Sequence, residues 1–274
     1  MKNLILLLAA AMALGCSTNT EGDASPLEAA TFLNVSYGAD VKQKMDLYLP
    51  AGRNKNDTKV IVLVHGGGWS AGSKEDFNTA VPIIRQQFPD HAVVNVGYRL
   101  ATVESPAYPK QIDDLASAIE HLETNGYSVS KHYGFVGSSA GAHLSMLYGY
   151  MQGNTRVKAI CNLVGPTDFT DPAYEDSMMD LAFPYLVGEN PTAALIEEVS
   201  PVFHVTAQSP KTIQFLGNQD SLIPVSQGQR LKAKLDASNV ENELHYYDAG
   251  HGDFSQADYL DLFFKLEAFF SAHL

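Results

Sequence analysis

The chain has only two cysteines and one tryptophan in 274 residues. Two cysteines imply no disulfide framework, and no Cys or His spacing matches a metal-ligating motif, so neither a metal nor a cofactor is expected. Cationic side chains are also scarce. Lys and Arg number 18 against 31 Asp and Glu, a formal net charge of −13. Such a surface repels phosphate, which argues against nucleic acid as a partner. The charge reads instead as a solubility feature. Repeats and low-complexity blocks are missing. The apolar run Leu4 to Leu14 is too short to span a bilayer as a stable helix. What remains is 45% apolar and 18% charged, ordinary for a folded soluble protein, and long enough for one α/β domain with a full core.

The most informative stretch is Gly137-Ser138-Ser139-Ala140-Gly141, which fits G-x-S-x-G. An apolar run, Tyr133 to Val136, enters it, and a helix-compatible run, Ala140 to Tyr150, leaves it. Strand, tight turn and helix in that order hold a serine hydroxyl exposed at the tip of a sheet. A nucleophile needs donors for the charge it creates. The β-branched run Val60 to Val64 reads as a buried parallel strand, and His65-Gly66-Gly67-Gly68-Trp69 follows at once. Successive glycines let backbone N–H groups turn towards an oxyanion. The amides of Gly67 and Gly68, with that of Ala140, are the expected hole. His65 is expected to anchor this loop rather than titrate.

An acid and a histidine should follow the serine. Lys211 to Leu216 reads as a strand that ends in Gly217-Asn218-Gln219-Asp220. Glu243 to Tyr247 reads as the last strand, followed by Asp248-Ala249-Gly250-His251-Gly252. The expected triad is therefore Ser139 as nucleophile, His251 as general base and acid, and Asp220 as the group that fixes the imidazole. His204 competes for the base. Asp168 and Asp248, also near strand ends, compete for the acid. His143 is expected to pack behind the elbow.

Val35–Tyr37 and Met45–Leu49 read as an antiparallel pair at a sheet edge. Parallel strands are expected near 60–64, 92–96, 133–136, 157–164, 211–216 and 243–247. Helical runs alternate with them. One is Pro109 to Asn125, with Ile112, Leu115, Ile119 and Leu122 on one face and Gly126 as its stop. The last, Gln256 to Leu274, is expected to bury Leu260, Phe263 and Phe264. A doubly wound sheet follows, with ligands at the strand carboxyl ends, where every candidate residue lies.

These motifs resemble those of α/β-hydrolases of the hormone-sensitive-lipase-like esterase group, in particular compact bacterial acetyl, feruloyl or xylan esterases. The resemblance rests on the His65–Trp69 loop, the Gly137–Gly141 elbow, Gly217…Asp220 with Ile223-Pro224-Val225, and Gly250-His251-Gly252. Val96-Gly97-Tyr98-Arg99-Leu100, Tyr108-Pro109 and Asp113 also match, with Arg99 and Asp113 expected to bond the scaffold. It covers Leu33 to Leu274 and implies a catalytic domain over 33–274 acting on small esters or esterified carbohydrate. It also implies a small lid insertion over about 169–201, whose Tyr174, Met178, Met179, Phe183 and Tyr185 are expected to shape the pocket together with Trp69. An aryl-formamidase or an exopeptidase on the same fold is the nearer alternative. A non-catalytic surface binding protein on a hydrolase scaffold is the alternative of another class.

The N-terminus reads separately. Met1-Lys2-Asn3 and the apolar run form a secretory signal over 1–15. Leu14-Gly15-Cys16-Ser17 resembles a bacterial lipoprotein box. That implies cleavage before Cys16, a lipid on its thiol, and a lipidated polar tether over 16–32 that anchors the domain in the cell envelope. Ordinary secretion is the alternative. Cys161 then stands alone, in a predicted buried strand, as a small apolar filler.

Overall fold

The computed structural model describes residues 26–151, 153–175 and 179–274. The signal segment and Cys16 lie outside these residues. Eight strands form one sheet in the order β1-β2-β4-β3-β5-β6-β7-β8. They are β1 (Ala30–Ser36), β2 (Lys44–Leu49), β3 (Val60–Val64), β4 (Ala92–Val96), β5 (Tyr133–Ser138), β6 (Val157–Leu163), β7 (Lys211–Gly217) and β8 (Asn242–Tyr247). β2 pairs antiparallel with β1 and β4, and every later pairing is parallel. The fold is that of an α/β-hydrolase, with β2 to β8 where periodicity expects them; β1, expected at Val35–Tyr37, runs instead over Ala30–Ser36, with a register shift between Phe32 and Val35. The expected tether boundary is corrected at one end. Residues 30–32 belong to β1, because Ala30, Thr31 and Phe32 pair with Leu49, Tyr48 and Leu47.

β3 and β4 are buried at every position. This is why neither alternates, with Asn95 the one polar residue in the two runs: helices cover both sides of a parallel sheet. The helices are α1 (Val81–Gln87), α2 (Lys110–Thr124), α3 (Ala140–Tyr150), α4 (Met179–Val187), α5 (Ala193–Glu198), α6 (Val225–Ala237) and α7 (Gln256–His273). α3 packs on one face, where Tyr148 meets Phe135 of β5. α1 and α7 cover the other, where Phe270 lies against Gly134 of the same strand and against Phe88. No described helix is long and apolar enough to cross a membrane.

Two expectations within the helices are corrected. α2 buries Ile112, Leu115, Ile119 and Leu122 as its spacing implies. Its scaffold carboxylate, however, is Asp114, not Asp113. Asp114 is fully buried and accepts from Gln43 Nε2 at 2.8 Å, the Arg99 amide at 2.8 Å and the Arg99 side chain. Asp113 is exposed, one residue off the inward face. On α7 the buried stripe is Leu262, Leu266, Phe269 and Phe270, with Phe263 half-buried. Leu260 and Phe264 are 55% and 68% exposed. They form an i, i+4 pair of their own, turned away from the sheet.

The Asp114 network ties β4, α2 and the β2 approach together. Asp114→Asn should lower unfolding free energy by about 3 kcal/mol, because one partner of a buried ion pair is removed. Asp113→Asn should stay within about 0.5 kcal/mol. Urea midpoints of the two variants check this, and equal midpoints would refute the assignment.

Candidate active site

The turn from β5 into α3 takes one residue. Ser139 has φ +51° and ψ −119°, a conformation that costs a non-glycine residue on the order of 1–3 kcal/mol. Hydrogen bonds on both sides hold it: its amide donates to the Leu163 carbonyl at 2.8 Å, and its carbonyl accepts from the His143 amide at 3.0 Å. The flanking glycines are required by space. A Cβ on Gly141 would collide with the carbonyl oxygens of Val64 and His65, and one on Gly137 with the backbone of Gly141 and Ala142.

Residues 112 apart in sequence meet at this turn: His251 Nε2 lies 2.9 Å from Ser139 Oγ. On the other side of the ring, His251 Nδ1 lies 2.8 Å from Asp220 Oδ2. The remaining Asp220 oxygen accepts from the amides of Leu222 and Ile223 at 2.8 and 2.9 Å. Only 1% of the Asp220 side chain is exposed, against 28% for His251. The carboxylate therefore acts on the ring in a dry setting while the imidazole still reaches the cleft. In this geometry Nδ1–H donates to Asp220, and Nε2 is left to accept from Oγ–H. Gly217 is where β7 turns towards the histidine loop, since a Cβ there would strike the carbonyls of Ala249 and Gly250.

The glycine loop faces the same serine. Gly67 and Gly68 have φ +112° and +53°, values that favour glycine. With Gly66 they line the cavity beside Ser139. Ala140 is the first residue of α3, so its amide has no intrahelical acceptor and stays available to a ligand. His65 is buried and anchors the loop. Its Nδ1–H donates to the Gly66 carbonyl at 2.7 Å, and its ring stacks on Tyr98 at 4.1 Å. Burial holds its pKa below the usual histidine range.

The competing candidates are occupied elsewhere. Asp168 is ion-paired with Arg230 at 2.6 Å. His204 Nε2 donates to the Glu198 carbonyl at 2.7 Å. Asp248 accepts from Gln219 Nε2 at 2.5 Å.

The pocket assignment is corrected. Trp69 is 1% exposed and Tyr174 5% exposed. Trp69, Tyr174, Phe183 and Tyr185 do not line the cavity beside Ser139. Aromatic packing takes them away. Phe169 contacts Trp69 at 6.0 Å, Tyr174 at 6.0 Å and Phe183 at 4.9 Å. The Tyr185 backbone instead pairs with the Ala107 amide at 2.8 Å. Met178 lies outside the described residues. The insertion over 169–201 thus serves as a buttress: its described residues include α4, α5 and a short 3₁₀ turn at Pro172–Tyr174. The cavity walls come instead from α1 and α7. Sequence reading missed them because their apolar side chains follow the same spacing as core residues. Gln111 was missed as well. Its Nε2 donates to the carbonyls of Trp69 and Arg99 at 2.7 and 2.8 Å, so it clamps the end of the glycine loop.

With this geometry in view, comparison with known proteins is informative. Residues 45–235 match the BD-FAE family. The chain belongs to that family. It is 25% identical over 242 residues to esterase LipC of Mycobacterium tuberculosis, covering 80% of this chain and 59% of that protein. It thus spans little more than half the length of that relative. It is 32% identical over 126 residues to kynurenine formamidase of Salmo salar, covering 43% of this chain and 38% of that one. Among solved structures it resembles an acetyl ester-xyloside bifunctional hydrolase from Caldicellulosiruptor lactoaceticus. The TM-score is 0.66 at 19% identity, covering 90% of this chain and 97% of that one.

His143 carries a stability consequence. It is fully buried behind the elbow, where Nδ1 accepts from Trp69 Nε1 at 3.2 Å and Nε2–H donates to the Val199 carbonyl at 2.7 Å. A proton has no place on this neutral tautomer, and burial pulls its pKa down to about 4. An unfolded histidine titrates near 6.5, so below that pH the unfolded chain binds a proton that the folded one refuses. The contribution is whole above about pH 6.5 and is lost as pH falls towards 4, on the order of 3 kcal/mol. His65, His91 and His121 are displaced in the same direction by burial. Thermal midpoints should therefore fall between about pH 6.5 and 4. The slope should be shallower, though not flat, in His143→Gln. An unchanged slope would refute the role given to His143.

Proposed function

We propose that this protein is a serine carboxylesterase acting on small carboxylic esters through an acyl-enzyme. The observation that carries the reading is the single imidazole that reaches both Ser139 Oγ, at 2.9 Å, and Asp220 Oδ2, at 2.8 Å. Ser139 Oγ attacks the ester carbon while its proton passes to His251 Nε2. The carbonyl electron pair moves onto oxygen, where the amides of Gly67, Gly68 and Ala140 meet it. Collapse breaks the bond to the alcohol, which leaves with the proton from His251. Water then repeats the sequence on the acyl-serine, releasing acid and restoring the hydroxyl. Asp220 keeps Nε2 in the accepting tautomer and stabilises the imidazolium.

Acetyl or feruloyl esters on plant polysaccharide are the proposed substrate class. The support is the fold shared with an acetyl ester-xyloside hydrolase. Formamide hydrolysis is the second reading. It uses the same groups and is favoured by the local similarity to kynurenine formamidase.

Steady-state hydrolysis of p-nitrophenyl acetate, methyl ferulate and N-formylkynurenine ranks these substrates. Ser139→Ala and Asp220→Asn should lower kcat by about 10⁴-fold or more. Equal rates in wild type and Ser139→Ala would end the proposal.

We also propose that Cys16 carries a lipid that tethers the domain to a bacterial envelope membrane, which the lipoprotein-box resemblance supports. Metabolic labelling with a fatty-acid analogue should mark the wild type and leave Cys16→Ala unlabelled and extractable without detergent. Labelling of both would refute the anchor.

A further inference from the structure

A cavity of about 710 Å³ begins at Ser139 and runs beneath it, into the gap between α1 and α7. Its floor is the sheet itself, at Val136 of β5 and Cys161 of β6. Its walls include Ile83 of α1 and Phe263 and Leu266 of α7. Beside it the two helices are joined. Gln87 Nε2 donates to the Phe263 carbonyl at 3.1 Å, and Phe88 packs on Phe270 at 6.2 Å. Burial raises the Cys161 thiol far above its usual range, so it stays uncharged and acts as an apolar surface.

The cavity's size and the order of bond breaking indicate what fills this space. Cavities of roughly 300–1,000 Å³ hold whole drug-sized ligands, whereas an acetyl group would occupy only the mouth next to the serine. In the acyl-enzyme reaction the alcohol leaves first, and the acyl carbon stays bonded to Oγ until water releases it. An alcohol held in a groove beneath the serine would have to leave past the acyl group. Such a groove suits the half of the substrate that stays.

We propose that the α1–α7 groove is the acyl subsite and takes an unbranched apolar acyl chain of four or more carbons. This inference rests on the esterase reading and departs from it in the acyl group, setting a longer aliphatic chain in place of acetyl or feruloyl. Walls from α1 and α7, rather than from the insertion, make those two helices the determinants of chain length.

The test is kcat/KM for p-nitrophenyl acetate, butyrate, hexanoate and octanoate. In the wild type each methylene that enters the groove should raise kcat/KM roughly fourfold, up to the length at which the groove is full. Cys161→Phe fills the floor and should lower the hexanoate-to-acetate ratio at least tenfold. Ile83→Trp narrows the rim from a position 40% exposed, where a larger ring needs no core repacking, and should shift the ratio in the same direction. Serine-dependent hydrolysis that declines steadily from acetate onward, or a ratio that ignores both variants, would overturn the subsite and leave the esterase reading standing. No hydrolysis of any ester that depends on Ser139 would remove both.

Discussion

The backbone of Ser139 is the constraint on which the site depends. A strand that must become a helix within one residue, against a neighbouring strand, leaves no room for side chains at 137 and 141. It also forces a positive φ on the residue between. That strain persists only because the surroundings over-determine it. The Leu163 carbonyl takes the serine amide on one side, and the first turn of α3 takes its carbonyl on the other. In return, Oγ stands clear at the end of the sheet and the leading amide of α3 points at the same space.

The glycine loop locks to this turn. The Asp220 and His251 loops lock to each other, where Gly217 passes the carbonyls of Ala249 and Gly250 and the Gln219 amide donates to the Ala249 carbonyl at 2.9 Å. Gly141 passes directly under the ends of Val64 and His65, so the glycine loop and the elbow are positioned by one contact. The loop is then pinned at both ends, by His65 on Tyr98 and by Trp69 against His143. His143 stands four residues after the serine, on the helix that the elbow launches. A core interaction and the placement of the glycine-loop amides are therefore the same interaction. Loss of core packing there acts on the site as well as on stability.

The insertion and the groove divide two tasks that a lid would have combined. Residues 169–201 contribute Tyr174 and Phe183 to an aromatic cluster around Phe169, which packs on Trp69 and stiffens the loop from behind. The space a substrate would enter is shaped on the opposite face of the sheet, by α1 and α7. Trp69 adjoins Gly68, which lines the cavity, so the rings packed behind it act on the site through the backbone they hold.

Much of this protein was legible in the sequence. Strand and helix alternation, the elbow and the glycine loop are local patterns, and local sterics dictate them: β-branched runs favour strands, and only glycine fits where backbones cross. Chain order and strand ends favoured Ser139, Asp220 and His251 over His204, Asp168 and Asp248. The tertiary structure is what brings the favoured three side chains together. Tertiary structure alone decided the rest. Asp114 rather than Asp113 became the scaffold carboxylate because the rotation of α2 chose which of two adjacent residues faces Arg99. Leu260 and Phe264 stayed in solvent because α7 presents a neighbouring stripe to the sheet. The groove was invisible because a residue lining a cavity and one filling a core share the same apolar character and the same helical spacing. Only the distance between two packed helices tells them apart, and no single segment of sequence encodes that distance.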